Sequence, residues 1–139
     1  MKPLPHVCLL LGIALFTAGT TYGRQLFDLP QVAPPASYDQ VHVHPLAHDS
    51  LSSAFLIWIK KEVKPHVHRH HTEQVLILEG TATMLLAGQV REVGPGHFIT
   101  IPENTVHAVR VKGSKPLKVL SIQAPYFDGT DREFVEASF

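Results

Sequence analysis

The stretch Pro65-His66-Val67-His68-Arg69-His70-His71-Thr72-Glu73 decides how the rest of the chain is read. It is closed downstream by Gly80 and answered by His107. In an extended strand alternate side chains share a face, so His66 and His68 point the same way and offer two ring nitrogens side by side. Glu73 follows after a four-residue gap, enough for the chain to bend and return a carboxylate to the same pocket. The block Gly96-His97-Phe98-Ile99-Thr100-Ile101-Pro102-Glu103-Asn104-Thr105-Val106-His107 offers a fourth ligand. Three neutral imidazoles and one carboxylate make a mixed nitrogen and oxygen site for a divalent transition metal. Spacing leaves open a slipped pairing of His68 with His70, although only two residues then precede Glu73. His70 and His71 are read as a loop pair, with His71 a donor to a ligand carboxylate.

These two blocks resemble the paired motifs of the cupin superfamily. The first motif of that family runs Gly-x5-His-x-His-x3,4-Glu-x6-Gly, and His66, His68, Glu73 and Gly80 stand at those spacings, with Lys60 in place of the leading Gly. The second runs Gly-x5-Pro-x-Gly-x2-His-x3-Asn and is met by Gly96, Pro102 and His107. Asn104 replaces the middle Gly, and Val111 replaces the closing Asn. Asn tolerates positive φ better than most residues, so Asn104 is a mild departure. The resemblance implies an all-β fold, a single jelly-roll-like barrel, with a metal on His66, His68, Glu73 and His107. Germin-type members hold manganese in a comparable four-ligand set, so manganese or iron is expected first, with zinc, nickel and copper open. Barrels of the family commonly pair through edge strands, which makes a homodimer the expected assembly. The reaction does not follow, because one fold hosts many chemistries.

At 139 residues the chain is one domain with a single core. Its formal charge of +0 at pH 7 gives no reason to expect nucleic acid or an acidic membrane as partner. Lys2, the apolar run Val7 to Phe16 and the small residues from Thr17 to Gly23 read as a signal peptide over residues 1–23. The run is shorter than the roughly 20 residues that span a bilayer, so no stable membrane insertion is expected after cleavage. An uncleaved anchor is the alternative. Secretion or a periplasmic location follows from the signal alone. Cys8 is the one cysteine, so the mature chain forms no disulfide of its own.

Residues 24–37, with Pro30, Pro34 and Pro35, read as an extended arm that could reach a neighbour. Residues 38–139 form the barrel. Val41 to His44 alternates as a strand ending at Pro45. Its His42 and His44 repeat the His-x-His pattern with no following Glu, so they and His48 are read as an edge-strand face. Ala54 to Ile59 is apolar on both faces and reads as a buried strand. Val75 to Leu78 and Thr81 to Leu86 form a strand pair turning at Glu79-Gly80. Phe98 to Ile101, Val106 to Val111 and Leu117 to Ile122 complete the strands. Thr130-Asp131-Arg132-Glu133 has capping-box spacing, which predicts one short C-terminal helix packing Phe134 against the barrel. Phe98, Met84, Trp58 and Ile57 are candidate pocket liners. His97 is placed at the rim, and Tyr126 is a candidate acid or base that is better read as a core aromatic.

Three functions fit these residues. One is an exported metal-dependent enzyme acting on a small oxygenated metabolite by oxygenation, decarboxylation, isomerisation or lyase chemistry. A second is a non-catalytic module binding a small sugar, an acid or the metal itself. A third is a storage barrel, against which the complete ligand set argues.

Overall fold

The computed structural model describes residues 26–139. The expected signal peptide, Cys8 and the first residues of the arm lie outside the described residues. Ten strands follow in order: β1 Val41–His48, β2 Ser53–Ile59, β3 Glu62–Val67, β4 Thr72–Glu79 and β5 Thr81–Leu86, then β6 Gln89–Val93, β7 Phe98–Ile101, β8 His107–Lys112, β9 Leu117–Ala124 and β10 Glu133–Phe134. They make two antiparallel sheets, one ordered β1-β2-β9-β4-β7 and the other β10-β3-β8-β5-β6. The apolar inner faces meet around Ile59, Ile77, Met84, Ile101, Leu117 and Val119.

The turn at Glu79-Gly80 corrects the expected hairpin. β4 and β5 lie in different sheets, so Gly80 is a corner where the chain crosses the barrel. A hairpin would keep both strands in one sheet. Here each strand alternates inward on its own wall, which the sequence pattern of either strand shows equally well. Gly80 has φ +80°, and a Cβ there would lie 2.6 Å from the Pro116 carbonyl oxygen. Ala87 and Gly88, both at positive φ, make the true hairpin turn between β5 and β6.

Two prolines lie inside strands. β1 runs past Pro45 to His48, with a register shift between Pro45 and Ala47. An edge strand tolerates a missing N–H, and the bulge absorbs the misfit. In β3 the shift falls between Val63 and His66, which pair with Val109 and His107 respectively. Three steps along β3 therefore match two along β8. The extra residue, at Lys64-Pro65, changes the inward phase from Val63 to His66. Without that bulge Val67 rather than His66 would share the inward face with Val63.

The predicted C-terminal helix is absent, and the described residues contain no helix. Glu133 and Phe134 pair instead with Val67 and His66 as a two-residue strand on the edge of β3. The capping-box partners are taken elsewhere. Arg69 holds both Glu133 carboxylate oxygens at 2.7 and 2.6 Å. The Thr130 N–H and hydroxyl both donate to Asp128 Oδ1, at 2.9 and 2.6 Å. Phe134 is 63% exposed rather than packed into the core, at the mouth of the cavity.

The described part of the arm lies on its own barrel. Buried Lys118 donates to the Leu29 and Val32 carbonyls at 2.8 and 2.9 Å. That side also takes Trp58, whose ring packs on His42 at 5.7 Å between centroids. This covering explains why β2 is apolar on both faces.

Gly80→Ala is expected to cost about 3 kcal/mol or more, combining left-handed strain with overpacking against fixed backbone. Gly88→Ala has φ +77° and open space around the added methyl, so it should cost only about 1–2 kcal/mol. Urea unfolding midpoints of the two variants check this, and equal losses would remove the special role of Gly80.

Candidate metal centre

The bulge at Lys64-Pro65 sets His66 directly opposite His107, and His68 follows at the end of β3. The three side chains are buried. One ring nitrogen from each lies within 4.8 Å of the others, so the three could hold a metal ion. Which nitrogen is available is settled by hydrogen bonding. His66 Nδ1 donates to the Lys64 carbonyl at 2.8 Å, and His107 Nδ1 donates to the Thr105 carbonyl at 2.9 Å. His68 Nδ1 donates to the Asp131 carbonyl. A carbonyl only accepts, so each Nδ1 carries the proton and each neutral ring presents a bare Nε2.

Glu73 enters from the facing sheet. In β4 the inward residues are Glu73, Val75 and Ile77, paired across to Gln123, Ser121 and Val119 of β9. Ser121 Oγ donates to Glu73 Oε1 at 2.5 Å, and Gln123 Nε2 reaches the same oxygen at 3.5 Å. That leaves Oε2 turned to the imidazoles, 3.4 Å from His107 Nε2 and 3.6 Å from His68 Nε2. With a bare Nε2 on each ring these contacts set lone pairs against a carboxylate oxygen, an arrangement that a proton or a cation between them relieves. Burial alone would raise the Glu73 carboxyl, but a proton shared with His107 and His68, together with the Ser121 hydroxyl, outweighs it and holds the group well below the usual carboxylate range. Burial, followed by the neighbouring His107, lowers His66 to about 3. His66 is thus neutral and Glu73 ionised at neutral pH.

His68 Nε2 and His107 Nε2 are buried without a hydrogen-bond partner. A buried polar atom left unmatched costs roughly 1–3 kcal/mol. A cation at the convergence of these lone pairs removes that penalty and meets the Glu73 charge. The donor set therefore fits a divalent transition ion.

A second layer comes from the C-terminal segment. Asp131 Oδ1 accepts the Arg69 N–H, and Oδ2 accepts the His70 N–H, both at 2.9 Å. Oδ2 also takes His71 Nδ1 at 2.5 Å, while His71 Nε2 donates to the Tyr126 carbonyl at 2.9 Å. With an acceptor on each nitrogen, His71 is an imidazolium paired with Asp131. The expected bond from His71 to a ligand carboxylate is therefore not made, because Asp131 stands nearer and carries the charge. Asn104, at φ 59°, donates its N–H to the His68 carbonyl at 2.7 Å and accepts from Arg69 at 3.1 Å. This ties the loop before His107 to the loop after His68.

The other sequence candidates fall away from the centre. His42 packs on Tyr38 and Trp58, at 5.8 and 5.7 Å. His97 turns back to the Gly94 carbonyl in an exposed turn. Tyr126 is half exposed against His48, and only its carbonyl reaches the site. Of the four proposed liners, Met84 and Ile57 face the cavity. Phe98 is 61% exposed, and Trp58 packs on His42 of β1, outside the cavity lining. Ser121, Gln123 and Asp131 were missed. The first two were signalled by polar residues at the positions that continue the alternation of Leu117 and Val119 in β9.

The cavity over the centre measures about 640 Å³ and lies between the two sheets. A cupin domain profile matches residues 55–123, which contain all four candidate ligands and both supporting polar residues. An uncharacterized protein of Aquifex aeolicus is 31% identical over 100 residues, covering 72% of this chain and 82% of that one. The chain belongs to the cupin superfamily. This cupin is also 33% identical over 92 residues to quercetin 2,3-dioxygenase of Bacillus subtilis, covering 63% of this chain but 27% of that protein. Among solved structures, KdgF from Halomonas matches the cupin with a TM-score of 0.64 at 18% identity, over 76% of this chain and 96% of that one.

The His71–Asp131 pair makes stability depend on pH at both ends. Burial alone would lower the His71 pKa, but Asp131 and the Tyr126 carbonyl outweigh it and raise the group above its free value. Burial would raise Asp131, but His71 and the His70 and Arg69 N–H groups hold it low. The contribution from His71 is full below about pH 6.5 and is lost as pH rises through the raised folded value. The contribution from Asp131 is full above about pH 3.9 and is lost as pH falls through its depressed value. The gap in thermal midpoint between wild type and His71→Gln should therefore be widest between those limits and narrow above neutrality. A gap independent of pH would contradict the ion pair.

Proposed function

We propose that this cupin is an exported metal-dependent protein holding one divalent transition ion on His66, His68, His107 and Glu73. Its reading as an enzyme acting on a small oxygenated metabolite is preferred. The observation that carries it is the commitment of all three Nδ1 protons to backbone carbonyls, which leaves the Nε2 atoms as donors, those of His68 and His107 facing Glu73 Oε2. Manganese or iron is the first expectation. Such an ion would supply Lewis acidity toward two adjacent substrate oxygens.

The chain supplies the rest. The Nδ1 bonds orient the rings, and Ser121 fixes which carboxylate oxygen faces the ion. The aliphatic walls keep water from the reacting end of the cavity. Export rests on the N-terminal residues, and the protein recovered outside the cytoplasm should begin just after Gly23.

A specific observation also supports the binding-module reading. Apart from Glu73, the ionisable residues lining the cavity that are not imidazoles are Glu62, Lys64 and Arg132, and none of their side chains touches the ligand set in a hydrogen bond or ion pair. Turnover of flavonols, keto acids, uronates or oxalate by the metal-loaded protein favours the enzyme. Stoichiometric binding without product favours the module.

Elemental analysis of protein purified without chelating resin should find one ion per chain in wild type and His70→Ala, and none in His66→Ala. Absence from wild type, or equal loss in both variants, would overturn the ligand assignment. Ser121→Ala keeps all four donors but frees the carboxylate. Competition with a chelator of known affinity should show metal binding weakened about 10- to 100-fold.

A further inference from the structure

The cavity carries cations that the metal centre does not use. Its inner wall is formed by side chains such as Ile57, Ile59, Val75, Ile77, Met84 and Val119, none with a strong hydrogen-bonding group. A polyhydroxylated ligand would have to bury hydroxyls against that wall without partners, which is unfavourable. An apolar body gains from the same contact.

The mouth is different in kind. Glu62, Lys64 and Arg132 line it, and Glu62 already faces Arg110 at 3.6 Å. The Arg132 guanidinium and the Lys64 ammonium have no ion-pair partner among the described residues. Arg132 is also held in place. Asp131 on one side is anchored to the loop after His68, and Phe134 on the other pairs with His66 in the sheet. The backbone of Arg132 is therefore fixed beside a candidate metal ligand, with its planar, five-donor head unmatched. A guanidinium of that kind suits a carboxylate held by two parallel hydrogen bonds. The apolar wall beside it strengthens its field toward an incoming anion.

We infer that the cavity takes an amphipathic organic anion, with an apolar body on the aliphatic wall, oxygen donors toward the metal centre and a carboxylate at the mouth on Arg132. Only the middle contact rests on the metal reading above. Arg132 is then a specificity-determining residue contributed by the C-terminal segment, and the ligand class is set by the wall and the mouth together.

Calorimetric titration of the manganese-loaded full barrel tests this with dihydrocaffeate, its methyl ester and glucuronate. Dihydrocaffeate should bind about tenfold more tightly than the ester, and glucuronate more weakly than either. Arg132→Gln should shrink the acid–ester gap to less than about threefold, with ester affinity unchanged. The thermal midpoint of that variant should match wild type, because the Arg132 side chain has no partner to lose. Hydrocinnamate and hydrocinnamamide, which cannot chelate, repeat the comparison in metal-free protein. An Arg132-dependent preference for hydrocinnamate supports the inference even where manganese fails to bind and the metal reading falls. Metal-dependent binding of the ester with no Arg132-dependent gap leaves the metal reading intact and overturns the inference. Tighter binding of glucuronate than of dihydrocaffeate overturns it as well.

Discussion

An imidazole has two nitrogens, and a metal site built from three of them works only if each ring is told which one to present. In this protein the instruction comes from the backbone. The carbonyls of Lys64, Thr105 and Asp131 each take an Nδ1 proton, which leaves Nε2 as the free donor of each ring, that of His68 and of His107 buried without a partner. Two of the carbonyls lie two residues before the histidine they orient, so local chain geometry fixes the tautomer. The third is remote. His68 depends on Asp131, which is 63 residues away in sequence.

That remote contact makes the C-terminal segment part of the site. Asp131 holds the His68 ring through its carbonyl and the 69–71 loop through its carboxylate. The next residue faces the cavity mouth, and Phe134 pairs with His66. Arg69 closes the arrangement by gripping Glu133 and Asn104 together. Most of these contacts are exposed pairs that contribute little singly. Their effect is geometric, because they converge on one loop. Losing the segment would remove a ring-orienting carbonyl, a buried countercharge for His71 and one side of the mouth at once.

The parts of this design that were legible in the sequence are those with local causes. Period-two alternation and Gly or Pro punctuation located the main strands, and the spacing of His66, His68, Glu73 and His107 anticipated their meeting. What was not legible came from partners distant along the chain. Thr130 to Glu133 satisfied every local requirement of a helix start, yet Arg69 had already claimed Glu133, and the open edge of β3 claimed the backbone. The Glu79-Gly80 turn looks alike whether its strands pair or part. Only the position of Pro116 behind Gly80 shows a corner. Ser121 and Gln123 were visible as polar interruptions in β9, but their meaning required the register that sets them beside Glu73.

The ligand set and the cavity wall answer separate questions. Four donors at cupin spacing say that a cation of a certain charge and geometry is welcome. They do not distinguish a flavonol from a sugar acid, since either can present two oxygens. The similarity to quercetin 2,3-dioxygenase and to KdgF does not choose between them, because the first covers a fraction of that enzyme and the second reports shape. Discrimination must therefore lie in surfaces that touch the rest of the molecule. In this barrel the inner wall is aliphatic and the mouth carries unpaired positive charge. A wall without hydrogen-bonding groups rejects hydroxyls by leaving them unmatched, and a fixed guanidinium rewards a carboxylate by geometry as well as charge. Both effects would act on a ligand before any step at a bound metal, so on the proposed reading selectivity would be a property of the barrel's lining rather than of the metal centre.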